Sequence, residues 1–356
     1  MIAIRPARSM LVLLAAGLAV GFPALQGDAK SRPPVVVTPP APPPQPPPIQ
    51  GVFLNSRMLN DAAAYQAYMQ RATGISPAFT DGASVAAALR TGASYEPQAL
   101  IRGAMSLGAI AALQEPAFVA SVRAAGQNAN ARRLVLNRVI AEPGYIFTFP
   151  GAAAASRNAK QAIGGAGLRL LATGKAVKQS AYDIQHQAWS KDFVADRDAR
   201  LAAVKAGSST AAAPAPDVAA GLARGITGGA PLTPSSNPIV SFQTPMIAKA
   251  MALAAFAALG EAGDAAYDRL TYLTSEPNTG YCLSMAKLNL NQCLAVAKPH
   301  YEDVFCLGEH VLSDTGACMA RAGGGLMVLE VRTRPMAKLP PPRVGARGGR
   351  PAHRHR

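Results

Sequence analysis

The chain has 356 residues, 49% of them hydrophobic but only 6% aromatic, and a formal net charge of +15. Alanine supplies much of the apolar fraction, which favours closely packed helices over thick β-sandwiches. The charge belongs mainly to one end: eight Lys or Arg fall between Arg332 and Arg356 and no acid follows Glu330. The high pI therefore describes a tail, and no nucleic acid is expected as a partner.

At the start, Arg5 and Arg8 precede an apolar run from Met10 to Phe22, then Pro23 and the small-residue stretch Gly27-Asp28-Ala29. That order predicts a signal peptide over residues 1–29, cleaved after Ala29 to leave a soluble periplasmic or secreted protein. The alternative is an uncleaved anchor, although the run is shorter than the roughly 20 residues that span a bilayer. Residues 30–54 form a spacer in which ten of the sixteen positions from Pro33 to Pro48 are proline. Such a run favours the polyproline II form. It reads as a disordered mature N-terminus or, if the leader stays in the membrane, as a stiff stand-off.

The helical body is expected in two lobes, residues 55–206 and 246–325. Asp81 can cap a helix running to about Arg90, and Pro97 and Pro116 suit first turns, where a missing N–H costs nothing. Leu100 to Leu113 reads as a buried helix, and Asn158 to Ser190 as a further helical stretch. In the latter, the glycines at 164, 165, 167 and 174 either weaken the helix or admit a close neighbour. Asp192 is the expected cap of a helix running to Lys205. Residues 207–245, rich in Ser, Pro, Gly and Thr, read as a linker. Helices are then expected over Met246–Leu259 and Asp264–Thr274. The lone strand candidate is Leu326–Val331, and residues 326–356 have the composition of a disordered basic tail. The fold class is all-α.

All four cysteines, Cys282, Cys293, Cys306 and Cys318, lie in one C-terminal segment, which for an exported chain implies disulfides. No Cys-x-x-Cys is present, so a zinc ribbon or a thioredoxin-type site is not supported. If Tyr281–Ala297 is one helix, Cys282 and Cys293 sit about 16 Å apart along it, too far to bond each other. Pro299 turns the chain into a returning helix, His300 to Leu312, and the antiparallel hairpin pairs Cys293 with Cys306 and Cys282 with Cys318. A later helix start at Gly280 would free Cys282 for another partner.

Three groups could carry chemistry. His300, Glu302, Asp303, Glu309 and His310 are dense enough for a metal, but a solvated helix face fits their spacing better, and no metal or cofactor is expected. Tyr182, Asp183, His186 and Trp189 could border a ligand pocket, with Tyr182, His186 and Trp189 on one helical face; core anchoring is the competing reading. Ser284-Met285-Ala286-Lys287 matches the Ser-x-x-Lys of penicillin-binding enzymes but lacks their Lys-Thr-Gly element.

Two passages, Ala176–Lys191 and Cys293–His310, resemble a group of exported, alanine-rich alphaproteobacterial proteins with no known activity. The likeness covers most of the body between Asn55 and Ala322. It implies export and nothing about chemistry. The expectation is a non-enzymatic interaction or envelope-associated module whose tail meets an anionic envelope surface. The alternative is a cell-envelope hydrolase or ligand-binding protein with a pocket near His186 or His300/His310. A closed Ala-rich interior favours the first, and a deep cleft with converging polar groups the second.

Overall fold

A computed structural model describes Val52 and residues 54–226 and 243–325. The expected signal peptide, the Pro-rich run, the strand candidate and the basic tail lie outside them. The helices follow in chain order: α1 (Ser56–Thr73), α2 (Gly82–Ala93), α3 (Pro97–Ala112), α4 (Pro116–Ala125), α5 (Ala129–Ala141), α6 (Ala152–Lys160) and α7 (Ala166–Ile184). Then come α8 (Ala188–Lys191), α9 (Arg197–Ser208), α10 (Pro216–Ile226), α11 (Pro245–Ala258), α12 (Tyr267–Leu270), α13 (Pro277–Val296), α14 (His300–Cys306) and α15 (Asp314–Ala322). Among the described residues there is no strand, only an isolated bridge between Phe193 and Pro299.

Helix starts follow side-chain chemistry. Asn55, Asp81, Asn128 and Thr244 each accept a backbone N–H from the first turn of the helix they precede. Two Glu-Pro pairs do the same with a longer arm: Glu96 takes the N–H groups of Gln98 and Ala99, and Glu276 those of Asn278 and Thr279. Proline fills the position whose N–H would be unpaired in any case. Asp192 does not cap α9; Asp196 does, accepting from Ala199 N at 2.8 Å. The stretch after Asp192 is held extended against the hairpin turn, with Val194 N donating to Lys298 O and His300 N to Asp192 O.

The core is centred on α3 and α11, both buried on nearly every side. They pack on each other, with α1 and α6 against α3. One continuous cluster of buried side chains draws on both expected lobes, and the described residues fall in one compact unit. The expected linker also contributes: α10 lies on α1, Leu222 is buried, and Gln114 Nε2 donates to Gly225 O. Alanine explains why the division disappears, since small side chains let helices from the two halves interleave closely.

A second close contact joins the long helical run 152–184 to the returning arm 300–322. The helices run antiparallel, and Gly164 faces Gly323, Gly167 faces Ala320, Leu171 faces Gly316, Gly174 faces Ser313 and Lys178 faces Gly308. A Cβ on Gly167 would fall inside the backbone of Ala320. These glycines therefore serve close approach. Each partner carries a π-helical turn in this contact, Gln161–Gly165 and Leu307–Ser313, where one extra residue per turn adjusts the register.

The C-terminal hairpin is stapled twice, Cys282 to Cys318 and Cys293 to Cys306, with Cα separations of 5.8 and 5.7 Å. All four cysteines are paired, which fits an oxidising, exported environment. In a chain-entropy account the longer closure, 36 residues apart, contributes about 4 kcal/mol and the shorter about 3 kcal/mol. Among the described residues no single helix is long and apolar enough to cross a membrane.

Candidate functional site

A cavity of about 330 Å³ opens where the end of α7 meets the hairpin turn. Its walls are Ala181 and Tyr182 of α7, Val296 at the end of α13, and Tyr301 and Phe305 of α14, with the Cys293–Cys306 disulfide along one side. Local sequence puts them there. Tyr301 and Phe305 are four apart on one helix and share a face, and the staple holds that face beside the last turn of α13. Tyr182 meets Phe305 edge-on with ring centroids 6.1 Å apart. Val296 is 74% exposed and Tyr182 46%, so apolar surface is left open to solvent.

Polar groups are few in this cleft. Gln185 and Glu302 line it, and Glu302 already accepts the Lys298 N–H at 2.8 Å. Lys178 stands over the Phe305 ring but is held by Glu309 at 2.8 Å. The cleft offers an apolar, aromatic-walled seat and no paired acid and base.

Of the four residues expected at a ligand site, Tyr182 alone lines the cleft. The helix stops at Ile184, whose carbonyl accepts from both Gln187 N and Ser190 Oγ, so Tyr182, His186 and Trp189 do not share one helical face. Asp183 is exposed and accepts from Gln179 Nε2, and His186 is exposed on the turn. Trp189 packs half-buried against the core, with its ring 6.3 Å from that of His300.

The acidic group is dispersed among separate contacts. Asp303 pairs with Arg200 and Glu309 with Lys178, while His310 Nδ1 lies 3.0 Å from Asp314. The His300 imidazole covers Gly82 at the start of α2. Among the described residues no three His, Cys, Asp or Glu side chains converge as a metal site would require.

Ser284 and Lys287 also part company: Ser284 is exposed, whereas Lys287 points inward. Its Nζ donates to Ala93 O at 3.0 Å and sits 3.6 Å from the centroid of the Tyr95 ring, whose hydroxyl bonds Thr315. Burial pushes the Lys287 ammonium down to about 7, against the opposing pull of Glu96. Lys287 lies on the same stripe as the buried Leu283, Leu290 and Leu294, and that periodicity is the signal by which sequence could have marked it as internal. The unfolded chain binds a proton here between pH 7 and about 10 that the folded chain does not, so stability rises with pH across that window. Lys287→Met should remove this slope and stabilise the protein by a few kcal/mol near pH 7. Tyr95 N still satisfies Ala93 O in that variant. Urea unfolding at pH 7 and pH 9.5 checks both expectations.

No family model matches the chain, and comparisons with characterised proteins and with solved structures find no similar one.

Proposed function

We propose that the chain is an exported, non-enzymatic binding module that acts in the periplasm or outside the cell. In this reading, the cleft beside the Cys293–Cys306 staple seats an apolar group of its partner. The signal-type N-terminus and the fully paired cysteines support the compartment. The basic tail supplies a second, electrostatic contact to an anionic envelope surface.

The observation that carries the binding role is an open cleft of about 330 Å³ with aromatic and aliphatic walls, beside an alanine-rich core. Recognition sites of this size are largely apolar, with a few polar groups for orientation. Gln185 and Glu302 meet that description. The test is titration of the oxidised protein with the uncharged dye N-phenyl-1-naphthylamine. Val296→Arg places a charge at the mouth on an exposed position and should weaken dye binding about tenfold, whereas Leu134→Ser, on exposed α5, should change nothing. Equal binding by wild type and Val296→Arg would remove the basis for the cleft.

A further inference from the structure

The outer side of α13 has a composition unlike that of a solvated helix face. Tyr281 is 71% exposed and Leu288 46%, and they lie in line with the open Val296. Ser284, Gln292 and Ala295 complete the exposed strip, with Met285 half-buried along its edge. No charged side chain lies on it, because Lys287, the one charged residue of α13, is turned into the core. In a chain of net charge +15, a neutral and largely apolar strip of this length has the composition of an interface centre, where charged residues are depleted. Tyr281, Met285, Leu288, Gln292 and Ala295 follow steps of four and three, the spacing with which one helix seats along another.

The strip complements itself. When two copies of α13 lie antiparallel about a two-fold axis at Leu288, positions equally far from Leu288 on either side face each other. Leu288 then meets the partner's Leu288, and Ser284 the partner's Gln292. Tyr281, seven residues before the axis, comes opposite the partner's Ala295, seven residues after it, so a large side chain faces a small one. No like charges are brought together, as they would be on a charged strip. Val296, next to Ala295, is a wall of the aromatic cleft, and about 330 Å³ has room for a phenol ring. With helix axes about 8–10 Å apart, each Tyr281 ring reaches the mouth of the other copy's cleft. Together with Tyr182, the exposed side chains of the strip offer roughly 600 Å² per copy, the lower end of specific interfaces, which suits a reversible dimer.

We propose that the cleft beside the Cys293–Cys306 staple is filled by Tyr281 of the partner subunit, a second copy of this chain, in a two-fold dimer with α13 packed antiparallel on α13 about Leu288. This rests on reading the cleft as a binding site and names its partner. The exchange is reciprocal, so each copy completes the other's site.

The test is sedimentation velocity of the full oxidised chain over a concentration series. Wild type should pass from monomer to dimer in the micromolar range. Leu288→Arg and Leu288→Asp should each weaken association at least about tenfold, because like charges then face each other across the axis. An equal mixture of the two should restore a dimer, since opposite charges now meet there. Tyr281→Ala should weaken association about tenfold. At concentrations where wild type is dimeric, Tyr281→Ala should also bind N-phenyl-1-naphthylamine more tightly than wild type does, because its cleft is vacated. Circular dichroism checks that the helical body is intact in each variant. Wild type that stays monomeric up to about 1 mM overturns the proposal. So does a dimer that Leu288→Arg leaves intact, a mixture that does not reassociate, or a Tyr281→Ala variant whose dye affinity equals that of dimeric wild type. If wild type is monomeric while the dye binds in a Val296-dependent way, the second copy is the wrong occupant and the cleft remains a binding site. If dilute, monomeric protein binds the dye equally with and without Val296→Arg, the binding reading is lost and the proposal with it.

Discussion

Arg200→Leu should cost about 3–5 kcal/mol of stability, read as a lowered urea midpoint of the oxidised protein. The Arg200–Asp303 pair is the most enclosed ion pair among the described residues, with side chains 7% and 3% exposed. One arm of the guanidinium meets Asp303 on α14 and the other reaches the Leu294 and Ala297 carbonyls at the end of α13. This one side chain thus ties α9 to both arms of the stapled hairpin. Burial raises the Asp303 carboxyl above its ordinary range, and Arg200 opposes that rise. Without Arg200 a carboxyl is left in an apolar site with no counter-charge. Asp303→Leu alone should be comparably costly for the mirror reason. The double variant Arg200→Leu/Asp303→Leu should recover most of the loss, because two charges and the unpartnered Arg200 Nε leave the interior together. A double variant no more stable than either single one would mean that the carbonyl contacts, rather than the charges, dominate.

Gly167→Ala should be nearly as damaging, with a loss of about 3 kcal/mol, at the upper end of overpacking costs. The added methyl would meet the Met319–Ala320 backbone, which cannot rotate away as a side chain can. The helices would have to separate along the whole glycine-lined contact. Gly207→Ala makes the contrasting case. That position lies in α9 with open space around it, so the same methyl should stabilise by up to about 1 kcal/mol through helix propensity. Thermal unfolding of the two variants side by side separates close approach from any general effect of glycine replacement.

Much of the architecture could be read from local chemistry. The Glu-Pro starts, the Asp81 cap and the alanine content pointed to short packed helices, and an eleven-residue helical spacing arranged the cysteines in a nested pairing. The site was harder to see because its residues come from distant parts of the chain. Tyr182 was visible as a large side chain in a small-residue segment, but Tyr301 and Phe305 were overshadowed by the charged residues between and around them. The helix end at Ile184 carries no Gly or Pro; it is made by Ser190 bonding back to the Ile184 carbonyl, a contact that no short pattern announces. Asp192 failed as a cap for a related reason: its backbone is engaged by a residue more than a hundred positions away.

The packing of α3 against α11 also bears on how the chain comes to be folded. The two most enclosed helices come from opposite sides of the 227–242 segment, and each is apolar around most of its circumference. As the chain emerges in order, α3 waits with an uncovered flank until α11 arrives more than a hundred residues later. A nascent chain stopped before residue 245 therefore exposes a sticky helical surface that stays uncovered until the second half is available.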